Sequence, residues 1–211
     1  MPSTPLNPGS YYHIYNRGNN KEDLFLEKNN YDHFLRLYAL YIPPVAATYA
    51  YCLLRNHFHL LVRIRTVDEQ LAWRKENNLE ASEQASTKAR NPSRQFSNLF
   101  NAYTKAINKR YGRTGSLFER PFSRIEVTSP TYFAQLVTYI HQNPQRHGFV
   151  DDFRDWRYSS YETHLSHNAT RLEREETLRW FNGRSNHESM HHLILRPEDL
   201  PLEKSGFLFE T

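Results

Sequence analysis

The pattern of apolar and polar positions predicts an ordered series of strands and helices from Tyr11 to Asn143. Four runs rich in β-forming residues, each bounded by turn residues, are predicted to be strands: 11–15, 45–54, 57–64 and 117–127. Three longer segments repeat apolar residues at helical spacing: 31–42, 93–111 and 130–143. The order is therefore strand, helix, strand, strand, helix, strand, helix.

Short polar residues and prolines mark the expected helix ends. Asn29 or Asn30 can cap the first helix, Ser93 the second and Ser129 the third. The third helix is expected to stop before Pro144, because a residue that precedes proline disfavours helical geometry.

This order is βαββαβ followed by one further helix. It predicts an α+β fold of the ferredoxin-like type, with an antiparallel sheet backed by helices, a C-terminal helix and a C-terminal extension. We expect one domain over residues 1–162, in which 65–92 is a polar insertion with a short helix near 71–77. Residues 163–211 form an extension to which no chemistry is assigned.

The composition indicates what kind of side chains form the core and which cellular compartment suits the protein. The chain has 211 residues, enough to bury a real core, and aromatic residues make up 14% of it, so much of that core should be aromatic. Cys52 is the single cysteine, which precludes an intrachain disulfide and suits a cytoplasmic location. The sequence contains no secretory signal and no apolar run long enough for a membrane span.

Charge is distributed unevenly along the chain. Residues 88–124 hold nine basic residues against one acidic residue, a net charge of +8, whereas 150–211 hold eight basic and twelve acidic residues, a net charge of −4. A basic segment suits a polyanion such as nucleic acid, although a solvated helix face would have the same composition. From charge and position, the candidate DNA-binding residues are Arg17, Lys105, Lys109, Arg110, Arg113, Arg120 and Arg124.

Two histidines lie inside the apolar run 56–62. Side chains on a strand alternate between faces, so His57 and His59 point the same way while Phe58 points into a core. Two imidazoles on one face can share a divalent metal ion. They can equally be core histidines that only form hydrogen bonds with their neighbours. The pair by itself leaves both interpretations open.

Tyr139 and Asn143 are four residues apart, so a helix stacks them on one face. That spacing alone is typical of a tyrosine packed at the edge of an apolar stripe. Asn143 changes the interpretation, because an amide oxygen beside two imidazoles is a reasonable third ligand for Mg²⁺ or Mn²⁺. Together with a phenol one turn earlier, these groups are suited to phosphoryl transfer, in which the tyrosine oxygen attacks phosphorus.

Five sequence blocks carry a resemblance to a known family. They are YHIYNRG at 12–18, NHFHLLV at 56–62, RTGSLF at 113–118, YIHQNP at 139–144 followed by Gly148, and WRYSS at 156–160. In this order they resemble the single-tyrosine HUH transposases, where HUH stands for His–hydrophobic–His, and most closely their REP-associated branch. The HUH triplet alone is a weak signal, whereas the five blocks together are specific and cover residues 10 to 162.

The resemblance implies a metal-dependent single-stranded DNA endonuclease and strand transferase that acts in DNA transposition and recombination. Tyr139 would attack a DNA phosphate, form a 5′-phosphotyrosine link and release a 3′-hydroxyl, while His57, His59 and Asn143 would hold Mg²⁺ or Mn²⁺. The implied partner is hairpin DNA of REP-like palindromes, read with a single-stranded guide. The REP-associated branch implies a monomer; a dimer that exchanges the tyrosine helix is the alternative.

Two other functions compete with this one. A non-catalytic module on the same fold could bind single-stranded or hairpin nucleic acid, but it would not need a phenol near a two-histidine site. A phosphoesterase with two histidine motifs would need a second motif, for which His164-Leu165-Ser166 is the one loose candidate. It lies outside the predicted core, so this function ranks last.

Overall fold

The computed structural model describes residues 5–77 and 88–193, so the middle of the expected insertion (78–87) and the end of the extension (194–211) lie outside the described residues. The described strands are β1 (Tyr11–Arg17), β2 (Ala46–Leu53), β3 (His57–Ile64) and β4 (Ser123–Val127). The described helices are α1 (Lys28–Tyr41), α2 (Val67–Glu76), α3 (Pro92–Tyr111), α4 (Pro130–Arg146), α5 (Tyr161–Leu165), α6 (Arg174–Trp180) and α7 (Arg184–His191).

The four strands form one antiparallel sheet in the order β2-β3-β1-β4. β2 and β3 pair as an antiparallel hairpin, and β4 lies at an edge of the sheet. β4 begins only at Ser123, after Pro121, so it is shorter than the strand predicted over 117–127, because proline cannot donate to the ladder. The expected ferredoxin-like α+β fold is confirmed. In this arrangement β1 and β3 are the two central strands, and nearly all of their residues are buried.

The alternation of side chains gives the sheet two different faces. On one face Phe58, Leu60 and Val62 join an aromatic-rich core with α1 and α3. On the other face the same strand presents His57, His59 and Leu61, and α4 covers this side. Because the second face carries histidines in place of aliphatic residues, it is the side on which chemistry can take place.

The starts of α1 and α3 differ from the expected ones. Glu27 is the N-cap of α1, and Asn30 lies at the third helical position, where its Oδ1 accepts from Glu27 N at 3.1 Å. Asn91, not Ser93, caps α3, and its Oδ1 accepts from Arg94 N at 3.0 Å. A cap at Asn91 puts Pro92 at the first helical position, where proline loses no hydrogen bond.

The end of α4 also differs: the helix passes through Pro144 and ends at Arg146. Proline removes one N–H, but neighbouring bonds hold the last turn. His147 N donates to Asn143 O at 3.0 Å, and Phe149 N donates to Pro144 O at 2.9 Å. The prediction of an earlier stop was therefore wrong, because a steric bias at one residue is outweighed by bonds on either side of it.

The described part of the extension packs on the face of the sheet that α4 covers. The hydroxyls of Tyr11 and Tyr49 both donate to the carboxylate of Glu176 on α6, at 2.9 and 2.8 Å. Glu173 N donates to the carbonyl of Thr48 at 2.9 Å. These bonds attach the short helices to β1 and β2. No helix within residues 5–77 and 88–193 combines the length and apolar character needed to cross a membrane.

Phe34 lies at the centre of the aromatic core, fully buried against Phe25, Phe58 and Tyr103. We expect Phe34→Ala to lower the free energy of unfolding by about 3–5 kcal/mol, because it leaves a cavity that rigid rings cannot fill. Urea unfolding followed by circular dichroism measures this. Leu40→Ala, at a 63% exposed position of the same helix, is the control and should change stability by less than about 0.5 kcal/mol. A loss equal to that of the control would contradict this account of the core.

Candidate active site

The two histidines of β3 lie side by side under α4, with ring centroids 5.1 Å apart. Nδ1 of His57 is hydrogen-bonded to Asn56 Oδ1 at 2.7 Å, and Nδ1 of His59 to Nε2 of His13 at 2.9 Å. Because Nδ1 of each ring is engaged in this way, Nε2 is the nitrogen through which either ring could bind a metal ion. A hydrogen bond on the other nitrogen is also what commonly orients a ligating histidine.

Burial keeps these rings uncharged. It lowers the pKa of His57 to about 3, with a further lowering from His147 and Arg17. It lowers the pKa of His59 well below the usual value, as do the neighbouring histidines. A neutral imidazole is the form that binds metal. The pair is therefore in the ligand-competent state at neutral pH.

α4 and its C-cap residue bring a tyrosine and a further histidine to this pair. The ring of Tyr139 meets that of His59 edge-on, with 5.8 Å between centroids, and the ring of His147 meets that of His57 at 4.8 Å. Asn143 lies one helical turn from each of them, so the helix carries it on the same side, between the two contacts.

The side chain of Asn143 is fully buried. Its Nδ2 donates to the backbone carbonyl of Tyr139 at 2.8 Å, whereas its Oδ1 accepts no hydrogen bond from the described residues. A buried carbonyl oxygen without a donor is unfavourable unless something else binds it. An amide oxygen is a ligand that Mg²⁺ and Mn²⁺ accept, so the residues present fit the metal that the sequence suggests.

The Tyr139 hydroxyl is protonated in this environment. Burial raises the pKa of the phenol to about 12, while the guanidinium of Arg146 and a hydrogen bond from Asn143 act to lower it. Cζ of Arg146 lies 5.2 Å from the centroid of the Tyr139 ring. A phenolate formed at Tyr139 would thus meet a positive charge within the same helix.

Sequence reasoning missed three residues of this site: His13, Arg146 and His147. His13 lies on the same face of β1 as Tyr15, and that alternation was visible in the block 12–18. Arg146 and His147 follow Pro144, where the helix was expected to have ended. Extending the helical spacing from Tyr139 through Asn143 would have pointed to His147.

The basic candidates fall into two groups. Arg17, Arg110 and Arg113 each pair with a carboxylate. The partners are Glu119 at 2.6 Å, Glu27 at 2.6 Å and Glu22. The other four are Lys105 and Lys109, exposed on α3, Arg120, which precedes β4, and Arg124 on β4.

Arg120 and Arg124 line a groove of about 680 Å³ between α3 and the residues before β4. Arg124 donates to Ser93 Oγ at 2.7 Å and lies over the ring of Phe122 at 4.0 Å. Asn16 lines the same groove, and the next residue of β1 is paired with His57 in the sheet. The groove therefore reaches the end of the sheet at which β3 begins, on the face that α3 covers and opposite to the histidine pair.

His164, the loose candidate for a second histidine motif, does not join this site. It is buried on α5, with its ring nitrogens 2.8 Å from the backbone carbonyls of Ser160 and Tyr49. Because the ring of His164 contacts the backbone there and not His57 or His59, the phosphoesterase function gains no support.

Comparison with known proteins gives two similarities, while no protein-family model matches the chain. A curated relative from Haemophilus influenzae, named "Putative REP-associated tyrosine transposase", is 28% identical over 114 residues, which are 54% of this chain and 58% of the relative. The match thus spans less than two thirds of the relative's length.

A solved structure of a REP-associated tyrosine transposase bound to a REP hairpin shares the fold, with a TM-score of 0.55 and 15% identity. The similarity covers 79% of this chain and 86% of that structure. Both findings confirm the resemblance that the five sequence blocks predict.

Proposed function

We propose that this chain is a tyrosine-dependent DNA strand transferase of the REP-associated type, which cleaves and rejoins single-stranded DNA beside a hairpin. One observation carries the proposal: α4 holds Tyr139 against His59, with Asn143 and His147 on the same side of the helix. A non-catalytic binding module has no use for a buried phenol beside two histidines. The proposal places the chemistry within residues 1–162.

In the proposed reaction the Tyr139 oxygen attacks a DNA phosphorus. A P–O bond to tyrosine forms as the bond from phosphorus to the 3′-oxygen breaks, and the product is a 5′-phosphotyrosine link with a free 3′-hydroxyl. The phenol loses its proton and the leaving oxygen gains one, so the step is balanced in charge. Arg146 favours the deprotonated phenol. Attack of a 3′-hydroxyl on the phosphotyrosine reverses the step and joins the strands.

The residues that would hold Mg²⁺ or Mn²⁺ are His57, His59 and Asn143. When bound there, the metal ion would withdraw charge from the phosphate oxygens and so make phosphorus easier to attack. The hydrogen bond between His13 and His59 orients the second ring. The unsatisfied Oδ1 of Asn143 supports this assignment.

All these groups come from one chain. Tyr139 meets His59 within a single chain, so the proposed site requires neither a second copy nor exchange of the tyrosine helix.

The experiment that tests the proposed function is incubation of the full chain with a labelled single-stranded DNA that contains a REP-type hairpin, in the presence of Mn²⁺. A covalent protein–DNA adduct that survives denaturing electrophoresis is the expected result. A band shift on a native gel without any adduct would instead favour the non-catalytic binding module.

The groove between α3 and β4 is proposed to bind the DNA backbone. Arg94 and Arg120 line it and are exposed, so replacing both by glutamine should leave the fold intact. We expect hairpin affinity to fall about tenfold, with a smaller dependence on salt, because fewer counterions are released from the phosphates. Fluorescence anisotropy at several salt concentrations measures both effects.

The control for this experiment is Arg154→Gln, an exposed arginine that pairs with Asp152 and does not line the groove. An equal loss of affinity in the control would mean that net charge, and not the groove, determines binding.

A further inference from the structure

Four histidines from three helices meet in the interior on the opposite side of α4 from Tyr139. They are His141 on α4, His164 on α5, and His187 and His191 on α7, and none is more than 2% exposed. Their ring centroids lie between 4.2 and 5.9 Å apart in the pairs that contact each other. The proposed strand transfer uses none of them.

Among the four residues of this histidine cluster, His187 forms the fewest hydrogen bonds through its ring nitrogens. Both of its ring nitrogens are buried, and neither makes a hydrogen bond within the described part of the chain. A neutral imidazole has one donor and one acceptor, and both are costly to bury without a partner. A lone pair in this position needs either a proton donor or a metal ion.

The ring nitrogens of His164 also lack a full set of favourable hydrogen bonds. Its two nitrogens each lie 2.8 Å from a carbonyl oxygen, but a neutral ring has only one N–H to donate. The rings of His164 and His187 are both fully buried, and burial disfavours the charged form of an imidazole. One nitrogen of His164 therefore turns a lone pair towards an oxygen, which is an unfavourable contact.

We propose that His141, His164 and His187 form a second metal site, selective for Zn²⁺ or a similar transition metal. One nitrogen from each of the three rings can be chosen so that all lie within 4.8 Å of one another. Nitrogens that share a tetrahedral zinc ion are about 3.4 Å apart, so the rings must rotate slightly inwards. Imidazole-only ligands suit Zn²⁺, whereas Mg²⁺ and Mn²⁺ prefer oxygen.

His191 is within reach as a fourth ligand. Its Nε2 is hydrogen-bonded to Nδ1 of His141 at 2.8 Å, and its ring lies 4.2 Å from that of His187. The site would join α5 and α7 to α4. α5 and α7 have five and eight residues, and helices this short are not stable without tertiary packing or a bound metal ion. The role of the metal would therefore be structural.

The test uses the full chain carrying His57→Ala and His59→Ala, which removes the other histidine site. After loading with Zn²⁺ and extensive dialysis, elemental analysis should find about one zinc per chain, and zinc should raise the melting temperature by roughly 10 °C. Addition of His187→Gln should abolish both effects. His167→Gln, at an exposed position, is the matched control and should keep them.

Cobalt gives a second measurement that does not depend on the folding of the His187 variant. Co²⁺ bound in the histidine cluster should show the strong visible absorption of a tetrahedral site in the His57/His59 double variant. Absence of bound zinc and of this absorption in that protein would overturn the proposal, as would retention of zinc by a folded His187→Gln variant. Neither result depends on DNA cleavage.

Discussion

Replacement of Tyr139 by phenylalanine is expected to abolish the covalent protein–DNA adduct and to reduce strand cleavage by at least about 10³-fold. The substitution removes one oxygen atom, the one proposed to attack phosphorus, and keeps the ring that meets His59 at 5.8 Å. Stability should change by no more than about 1 kcal/mol, the usual contribution of one hydrogen bond. Denaturing electrophoresis of the reaction with labelled hairpin DNA measures the adduct.

The matched control is Tyr132→Phe. Tyr132 lies on α4, two turns before Tyr139, and its hydroxyl is also buried, with no hydrogen-bond partner among the described residues. This control should form the adduct at the normal rate. If Tyr139→Phe formed the adduct and Tyr132→Phe did not, the nucleophile would be assigned to the wrong tyrosine.

The second large effect is expected from the double variant His57→Ala/His59→Ala, which should cleave at least about 10³-fold more slowly while hairpin affinity stays within about threefold. The two imidazoles are proposed to bind metal, whereas contacts with DNA phosphates come mainly from arginine and lysine side chains. Cleavage with Mn²⁺ and anisotropy with the same DNA separate these two quantities.

His167→Ala, which removes an exposed histidine, controls for the loss of a histidine as such. Circular dichroism checks that the double variant is folded, since His59 is hydrogen-bonded to His13 in the interior. Normal cleavage by a folded double variant would refute the metal assignment, and equal losses of cleavage and affinity would point to a role of the pair in DNA binding.

Much of the fold follows from local pattern. The alternation around Phe58 gives β3 its two faces, and apolar spacing gives α1, α3 and α4. The residues for which the pattern failed are those with non-local or competing interactions. Pro144 is expected to end α4, but backbone bonds from His147 and Phe149 carry the helix past it.

The candidate site was predictable only in part, for the same reason. The shared face of His57 and His59, and that of Tyr139 and Asn143, each follow from spacing within a single element. The contact between His59 and Tyr139, however, depends on how α4 lies across the sheet, which no local pattern specifies.

The cluster around His187 joins α4 to two helices of five and eight residues, which are too short to produce a clear periodic signal. The basic residues show a further limit of sequence-based prediction, since a sequence does not show which charges are paired. The charges of Arg17 and Arg113 are balanced by acidic residues about a hundred positions away, and counting charge along the chain does not reveal such pairs.

The burial of Tyr139 has a consequence for how the reaction is timed. The side chain is only 4% exposed, so little of the proposed nucleophile faces solvent in the free protein. The free protein would then be a resting form in which the nucleophile is protected from stray single strands. On the proposed function, hairpin binding would supply the energy of opening, and recognition of the correct DNA would release the nucleophile.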